Sequence, residues 1–339
     1  MRQAVMTAPG QIRLGDVPKP APGPDEVLLK IVRIGVCGSD VHVFHGRHPY
    51  TSYPVVQGHE FSAVIEEVGE AVEGLSPGMK VTAMPQIVCG RCGPCRRGDY
   101  HICDHLKVQG FQAPGCAQQW FVTAADKIVR LPDGFTFEQG ALVEPAAVAV
   151  HAVARAGNLA GRNVAVLGAG PIGNLVAQVA RAEGADVLAT DVSDFRLELV
   201  RRCGIAHASN ARNESLDEAA ARAFGEVGFD VALECAGAEP AVDAAIRAIA
   251  KGGLLVVVGV FGEKPRVDLG LVQDRELKLV GTLMYRREDY QRAIELIEAG
   301  AILTDPLDTG HFPMRDYEAA YDFIERQSDR SMKVFIDVS

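Results

Sequence analysis

Four of the chain's eight cysteines stand within fifteen residues, as Cys89, Cys92, Cys95 and Cys103 in the spacing C-x2-C-x2-C-x7-C. Four thiolates so spaced can surround one tetrahedral zinc, and Gly90, Gly93 and Gly98 let the backbone fold tightly enough to do it. Once four sulfurs bind, no position remains for water or substrate, so the spacing predicts a structural zinc. A disulfide-laced loop and an iron–sulfur cluster are the rival readings. A second set is scattered: Cys37, Ser39 and His42 in "GVCGSDVH", His59 and Glu60 in "GHEF", and Glu144 in "ALVEPAAV". Taken singly these are ordinary, since a lone histidine more often packs or caps than ligates. Glu144 does have apolar neighbours that suit a buried role. Cysteine, histidine and carboxylate with one coordination position left open are what a catalytic zinc requires. Spacing alone does not bring them together.

The third constellation is "NVAVLGAGPIGNLVAQVARAEGADVLATD", a Gly-x-Gly-x-x-Gly between a strand and a helix. Gly168 permits the tight turn, Gly170 lets a pyrophosphate approach the backbone, and Gly173 lets helix pack on strand. Ile172, Leu175, Val176, Val179 and Ala180 recur at helical spacing, so the apolar face meets a sheet and the first N–H groups point at phosphates. Asp191 ends the next strand 18 residues past Gly173. There a carboxylate can accept from both ribose hydroxyls and repel a 2′-phosphate, which favours NAD over NADP.

These residues need elements to position them. The 339 residues suffice for two domains. Composition is that of a globular protein, 48% hydrophobic and 23% charged, with a mean hydropathy of +0.07. A formal charge of −10 argues against nucleic acid or an anionic membrane as partner. The amino terminus has no apolar core of signal-peptide length, and the most apolar run, "LLVVVGVFG", fits a buried strand rather than a membrane span. The expectation is a cytoplasmic enzyme whose thiols stay reduced, which favours metal over disulfide in the Cys89 loop. Residues 1 to roughly 140 read as strands and loops, with Phe61, Ala63 and Ile65 alternating against Ser62, Val64 and Glu66. "FEQGALVEPAAVAVHAVARAG" is helical in character despite Pro145. Six strand-like runs follow, from "NVAVLG" to "ELKLVGTLM", separated by helical segments, as in a parallel doubly wound sheet. Amphipathic helices at about 287–299 and 314–326 and a strand "MKVFIDV" close the chain.

In this order the motifs resemble the zinc-dependent medium-chain alcohol dehydrogenase superfamily, particularly its sorbitol (polyol) and threonine dehydrogenase branches. The resemblance spans essentially the whole chain and implies an α/β fold. A GroES-like β-rich catalytic domain would take residues 1–146 and 287–339, with its zinc lobe near 85–105. A Rossmann doubly wound domain would take 147–286. It implies two zincs per chain. Cys37, His59 and Glu60 or Glu144 would ligate the catalytic one, the other carboxylate ligating in exchange or holding water. The NAD set would comprise Gly168, Gly170, Pro171, Ile172, Gly173, Asp191 and Arg196. Ser39 and His42 would relay the proton through the nicotinamide ribose, with Glu60 and Glu144 completing the catalytic group. The implied reaction is reversible, NAD-linked oxidation of a secondary hydroxyl of a polyol or sugar-derived substrate. Zinc lowers the hydroxyl pKa and carbon yields a hydride to nicotinamide. Sugar-acid dehydrogenases of the L-galactonate 5-dehydrogenase type, vicinal-diol dehydrogenases and threonine dehydrogenases are the rival substrates. A zinc-stabilised nucleotide-binding protein without turnover is the rival class, and a zinc-free quinone reductase would lack these cysteines and ligands. Homodimers or homotetramers are implied. Two departures bear on sorbitol itself. Leu283, Met284 and Tyr285 replace a Phe-Arg-Tyr, and "GCAQQWF", with Cys116 and Trp120, replaces a Gly-Gly-Phe-Ala-Glu-Tyr.

Overall fold

The structure, a computed structural model, describes residues 1–338. The chain divides into two compact units, one of Met1–Glu144 with the segment from Asp308 onward, the other Pro145–Leu307.

The first unit is built on a seven-stranded sheet. Its spatial order is Asp308–Pro313, Lys333–Asp337, Glu26–Gly35, Glu60–Val68, Lys80–Ala83 and Ile128–Arg130, with Trp120–Ala124 also paired to Glu26–Gly35. The strand Glu26–Gly35 is central because it is apolar on both faces: Val27, Leu28, Leu29, Ile31 and Ile34 are all buried. Antiparallel register sets Gly35 opposite Glu60 on one side and opposite Phe335 on the other. One strand end therefore gathers three distant sequence segments: the run into Cys37, the "GHE" and the closing strand. The expected alternation in Glu60–Val68 holds for Phe61, Ala63 and Ile65, but Ser62 is buried as well. Its hydroxyl donates to the Phe137 carbonyl at 2.6 Å, at the start of the helix Phe137–Ala154 that covers this face.

The second unit holds the six strands read from the sequence, all parallel. Their order is His207–Asn210, Asp186–Asp191, Asn163–Leu167, Val231–Glu234, Leu254–Val257, Lys278–Gly281. This is the doubly wound 3-2-1-4-5-6 arrangement, whose ligands lie beyond the strand carboxyl ends where the order reverses. The helix Arg287–Glu298 requires a correction, because the sequence reading returned the chain to the first domain at residue 287. Here the helix belongs to the second unit, and the return begins at Asp308. Tyr290 is buried and meets Tyr285 edge-on at 5.2 Å, and Asp289 pairs with His151 at 2.9 Å. Amphipathicity showed a helix with one buried face without showing which core would receive it. Just before it, Met284 adopts φ 54°, unusual for a residue with a Cβ, and Leu283 is exposed.

Candidate active site and metal centres

Cys37 precedes the helix Gly38–Phe44, and its N–H donates to Asp40 Oδ2 at 3.1 Å. His59 stands just before the neighbouring strand and Glu60 begins it, after Gly58, whose φ is 91°. A Cβ at Gly58 would lie 2.8 Å from the buried Cys116 sulfur, so this turn excludes every other residue. Cys37, His59 and Glu60 place one donor atom each within 4.8 Å of one another. The convergence that spacing could not show is thus produced by sheet register. Glu144 is buried but stands outside that group of three, although it still influences the charge on His59 and Lys333.

Three participants were not anticipated. Lys333, in the closing strand, is buried; its Nζ donates to Glu60 Oε2 at 2.5 Å and to the Val36 carbonyl at 3.4 Å. Gly35 makes the space, since a Cβ there would fall 2.5 Å from Glu60 Oε2. Asp40 Oδ1 lies 3.7 Å from His59 Nδ1, a buried nitrogen without a hydrogen-bond partner. Gln57 Nε2 donates to the Asp40 carbonyl at 3.1 Å, and Gln57 Oε1 accepts from Tyr321 at 2.9 Å. A signal for Lys333 existed: with Asp337 at the far end it is one of two charged residues in the otherwise apolar run "MKVFIDV".

Burial, with Glu60 nearby, pushes the Cys37 thiol up, while His59 draws it down. Burial disfavours charge on His59, yet Asp40, Cys37 and Glu144 hold its imidazole well above the ordinary histidine value. Asp40 is pushed up by burial against the pull of His59. With burial pushing both Cys37 and Asp40 up, a nearby cation is what would let them ionise. A sulfur, nitrogen and oxygen donor set fits Zn²⁺, with Asp40 placed to orient His59.

The cysteine lobe fits zinc on independent grounds. Cys89, Cys92, Cys95 and Cys103 present their sulfurs within 4.8 Å of one another, and none forms a disulfide. Backbone N–H groups of Arg91 and Cys92 lower the Cys89 thiol to about 6, whereas burial and the neighbouring Cys92 and Cys103 push Cys95 up to about 12. Four crowded sulfurs cannot all ionise without a cation among them, and a divalent soft-tolerant ion removes that conflict.

In the second unit Gly168 has φ 96°, and a Cβ there would lie 2.8 Å from the Ala236 nitrogen. A Cβ at Gly173 would lie 1.7 Å from the Gly168 oxygen. The fold itself requires those two glycines. At Gly170 a Cβ would meet only the Arg196 guanidinium, at 3.9 Å. No internal contact demands that glycine, which is consistent with a ligand's need for close approach. Gly170 caps the helix Pro171–Ala182, with Pro171 at its first position and Ile172 next. Asp191 accepts from Ala169 N at 2.7 Å and Ser193 N at 2.9 Å, and Arg196 Nη1 lies 3.9 Å from Asp191 Oδ2. These bonds fix the carboxylate at the loop and leave it further lone pairs. Ser39 and His42 lie three residues apart on the Gly38–Phe44 helix, hence on one face, and both are half-buried. Among the described residues no helix is long and apolar enough to cross a membrane.

Known proteins agree with this picture. The family model for the alcohol dehydrogenase GroES-like domain matches residues 23–133, and that for zinc-binding dehydrogenases matches 171–299. A 2-dehydro-3-deoxy-L-galactonate 5-dehydrogenase of Pseudoalteromonas atlantica is 37% identical over 89% of this chain and 88% of its own. A sorbitol dehydrogenase of Halalkalibacterium halodurans is 33% identical over 96% of both chains. An alcohol dehydrogenase of Escherichia coli CFT073, solved with NADH, superposes with a TM-score of 0.92 at 27% identity, covering 100% of this chain and 99% of that one. These dehydrogenases act on CH–OH groups, with zinc and a nicotinamide dinucleotide as the cofactors, and the chain belongs to their family, the zinc-dependent medium-chain alcohol dehydrogenases.

Proposed function

We propose that this dehydrogenase reversibly oxidises a secondary hydroxyl of a polyol or sugar-derived substrate, using NAD in preference to NADP. The observation that supports it most is the convergence of half-buried Cys37 with buried His59 and Glu60, three donors rather than the cysteine lobe's four. A three-donor site leaves a position for substrate. When bound there, zinc supplies the Lewis acidity that brings a hydroxyl's pKa toward neutrality. Cys37, His59 and Glu60 would hold the metal, and Glu144, which acts electrostatically on His59 and Lys333, would replace Glu60 in exchange or hold water. Asp40 would keep the His59 ring turned toward the metal, and Lys333 would hold the Glu60 oxygen it now bonds. Ser39 and His42, on one helix face, would pass the substrate proton outward. Gly170 and the first turn of the Pro171 helix would receive the pyrophosphate, and Asp191 the adenosine ribose, with Arg196 beside it. The 37% identity to a sugar-acid dehydrogenase supports aldonates as the second substrate class to try. A cytoplasmic homodimer or homotetramer is part of the same proposal. The test is to assay a panel of polyols, aldonates, vicinal diols and threonine with NAD and with NADP, following reduced nicotinamide absorbance. Turnover of threonine alone would overturn the polyol and sugar reading.

A further inference from the structure

A surface loop follows the helix Gly38–Phe44 and packs, through Phe111, against the Cys37 group. His48 is half-buried in it, between exposed Arg47 and Pro49. Its ring lies flat on Phe111, with centroids 4.7 Å apart and an interplanar angle of 14°. Phe111 in turn leans on His59, at 4.9 Å and 47°. Three rings thus form one stack that starts at a candidate zinc ligand and ends at an imidazole.

That imidazole is fixed in two independent ways. Stacking on Phe111 sets its plane, and a hydrogen bond of 2.8 Å between Nδ1 and Thr51 Oγ1 sets its rotation. The loop is tied down as well: Gln112 Nε2 donates to the Tyr50 carbonyl at 3.0 Å, and Gln112 Oε1 accepts from Val108 N at 2.9 Å. Among the described residues nothing bonds to His48 Nε2. Burial, then His42 and His59, push His48 below the ordinary histidine value, which favours the neutral ring. A leucine or phenylalanine would complete the stack equally well. An oriented neutral imidazole with one nitrogen unused is what a recognition group needs. Whichever tautomer the Thr51 bond selects, Nε2 is a single donor or a single acceptor, and a hydroxyl can answer either.

We propose that His48 is a specificity-determining residue that hydrogen-bonds through Nε2 to a substrate hydroxyl remote from the reacting carbon, selecting polyhydroxylated chains over simple secondary alcohols. This rests on the reading that the Cys37 site oxidises CH–OH groups.

The experiment compares kcat/KM of the zinc-loaded wild type, His48→Ala and His48→Gln, on two substrate sets. One set is xylitol, sorbitol and gluconate; the other is 2-butanol and 2,3-butanediol, which lack a remote hydroxyl. His48→Ala should lose about 10- to 100-fold on the polyhydroxylated set and less than about 3-fold on the simple set. His48→Gln, whose amide can donate or accept, should recover part of the loss. A variant that fails to fold lowers both sets together, so the ratio between sets is the readout, and His48→Gln provides it a second time. Equal losses on both sets would overturn the role of His48 and leave the site's chemistry standing. A wild type active on 2-butanol but on none of the polyhydroxylated set would overturn it too. A wild type active on neither set would overturn the proposed function itself.

Discussion

At the scale of single residues, the tightest interaction at the candidate site is one between protein groups. Lys333 and Glu60 are both buried, and a pair of this kind is destabilising to break because the remaining charge loses its bonded partner. Lys333 and the metal would therefore share one carboxylate, each able to compensate its charge. Lys333→Met should lower the stability of metal-free protein by about 3–5 kcal/mol, and added zinc should restore most of it. Denaturant titrations with and without a chelator measure this, and identical curves for variant and wild type in chelator would show the pair to be inert. Glu144 offers the complementary case. If it exchanges with Glu60 or holds water at the metal, Glu144→Ala should reduce turnover far more than it reduces the melting temperature, with the cysteine lobe still metallated. Unchanged turnover would reduce Glu144 to a helix acid beside Pro145.

At the scale of elements, the cysteine lobe and the central sheet work by different means. The segment Cys89–Cys103 contains only the four-residue helix Gly93–Arg96 and one short turn of 3-10 helix, with Cys103 the one buried cysteine of the four. Such a segment has too little apolar surface to hold itself together, so metal binding supplies its folding free energy. Cys95→Ser should remove one zinc per chain by metal analysis, lower the melting temperature and leave the Cys37 site loaded. Disulfides found among the four in reduced protein would contradict the zinc assignment. This lobe was legible in the sequence because its ligands are local and spacing encodes their geometry. The Cys37 site was legible only as a list of residue types, since Cys37, His59 and Lys333 meet through antiparallel register across strands far apart in the chain. Ser62 shows the same limit: alternation pointed it outward, and the helix starting at Phe137 covers it.

At the scale of the molecule, two units with separate cores divide the labour of holding a metal site and a dinucleotide fingerprint. Cofactor binding to the native state should raise the stability of the unit that binds it, by about 2.7 kcal/mol at a hundredfold excess over Kd. If Asp191 receives the adenosine ribose, its carboxylate would repel a 2′-phosphate, and melting curves should shift upward more with NAD than with equimolar NADP. Arg196, 3.9 Å from Asp191, would offset part of that repulsion. Asp191→Ala should abolish the difference, and equal shifts in the wild type would show that Asp191 does not set cofactor choice.

By itself the sequence determined what depends on neighbours in the chain. The Gly168–Gly173 turn, the cysteine lobe and the periodicities of strand and helix are short-range patterns, and they specify a Rossmann sheet and a metal-binding loop. Tertiary structure decided what depends on which distant segments become adjacent. It assigned the helix Arg287–Glu298 to the second unit through Tyr285, Tyr290 and the His151–Asp289 pair. It also brought Lys333 to Glu60, and set Asp40, Gln57 and Tyr321 behind His59. A buried charge or amide is written in sequence as one polar letter among apolar ones. Its partner is chosen by sheet register and packing, which no local spacing encodes.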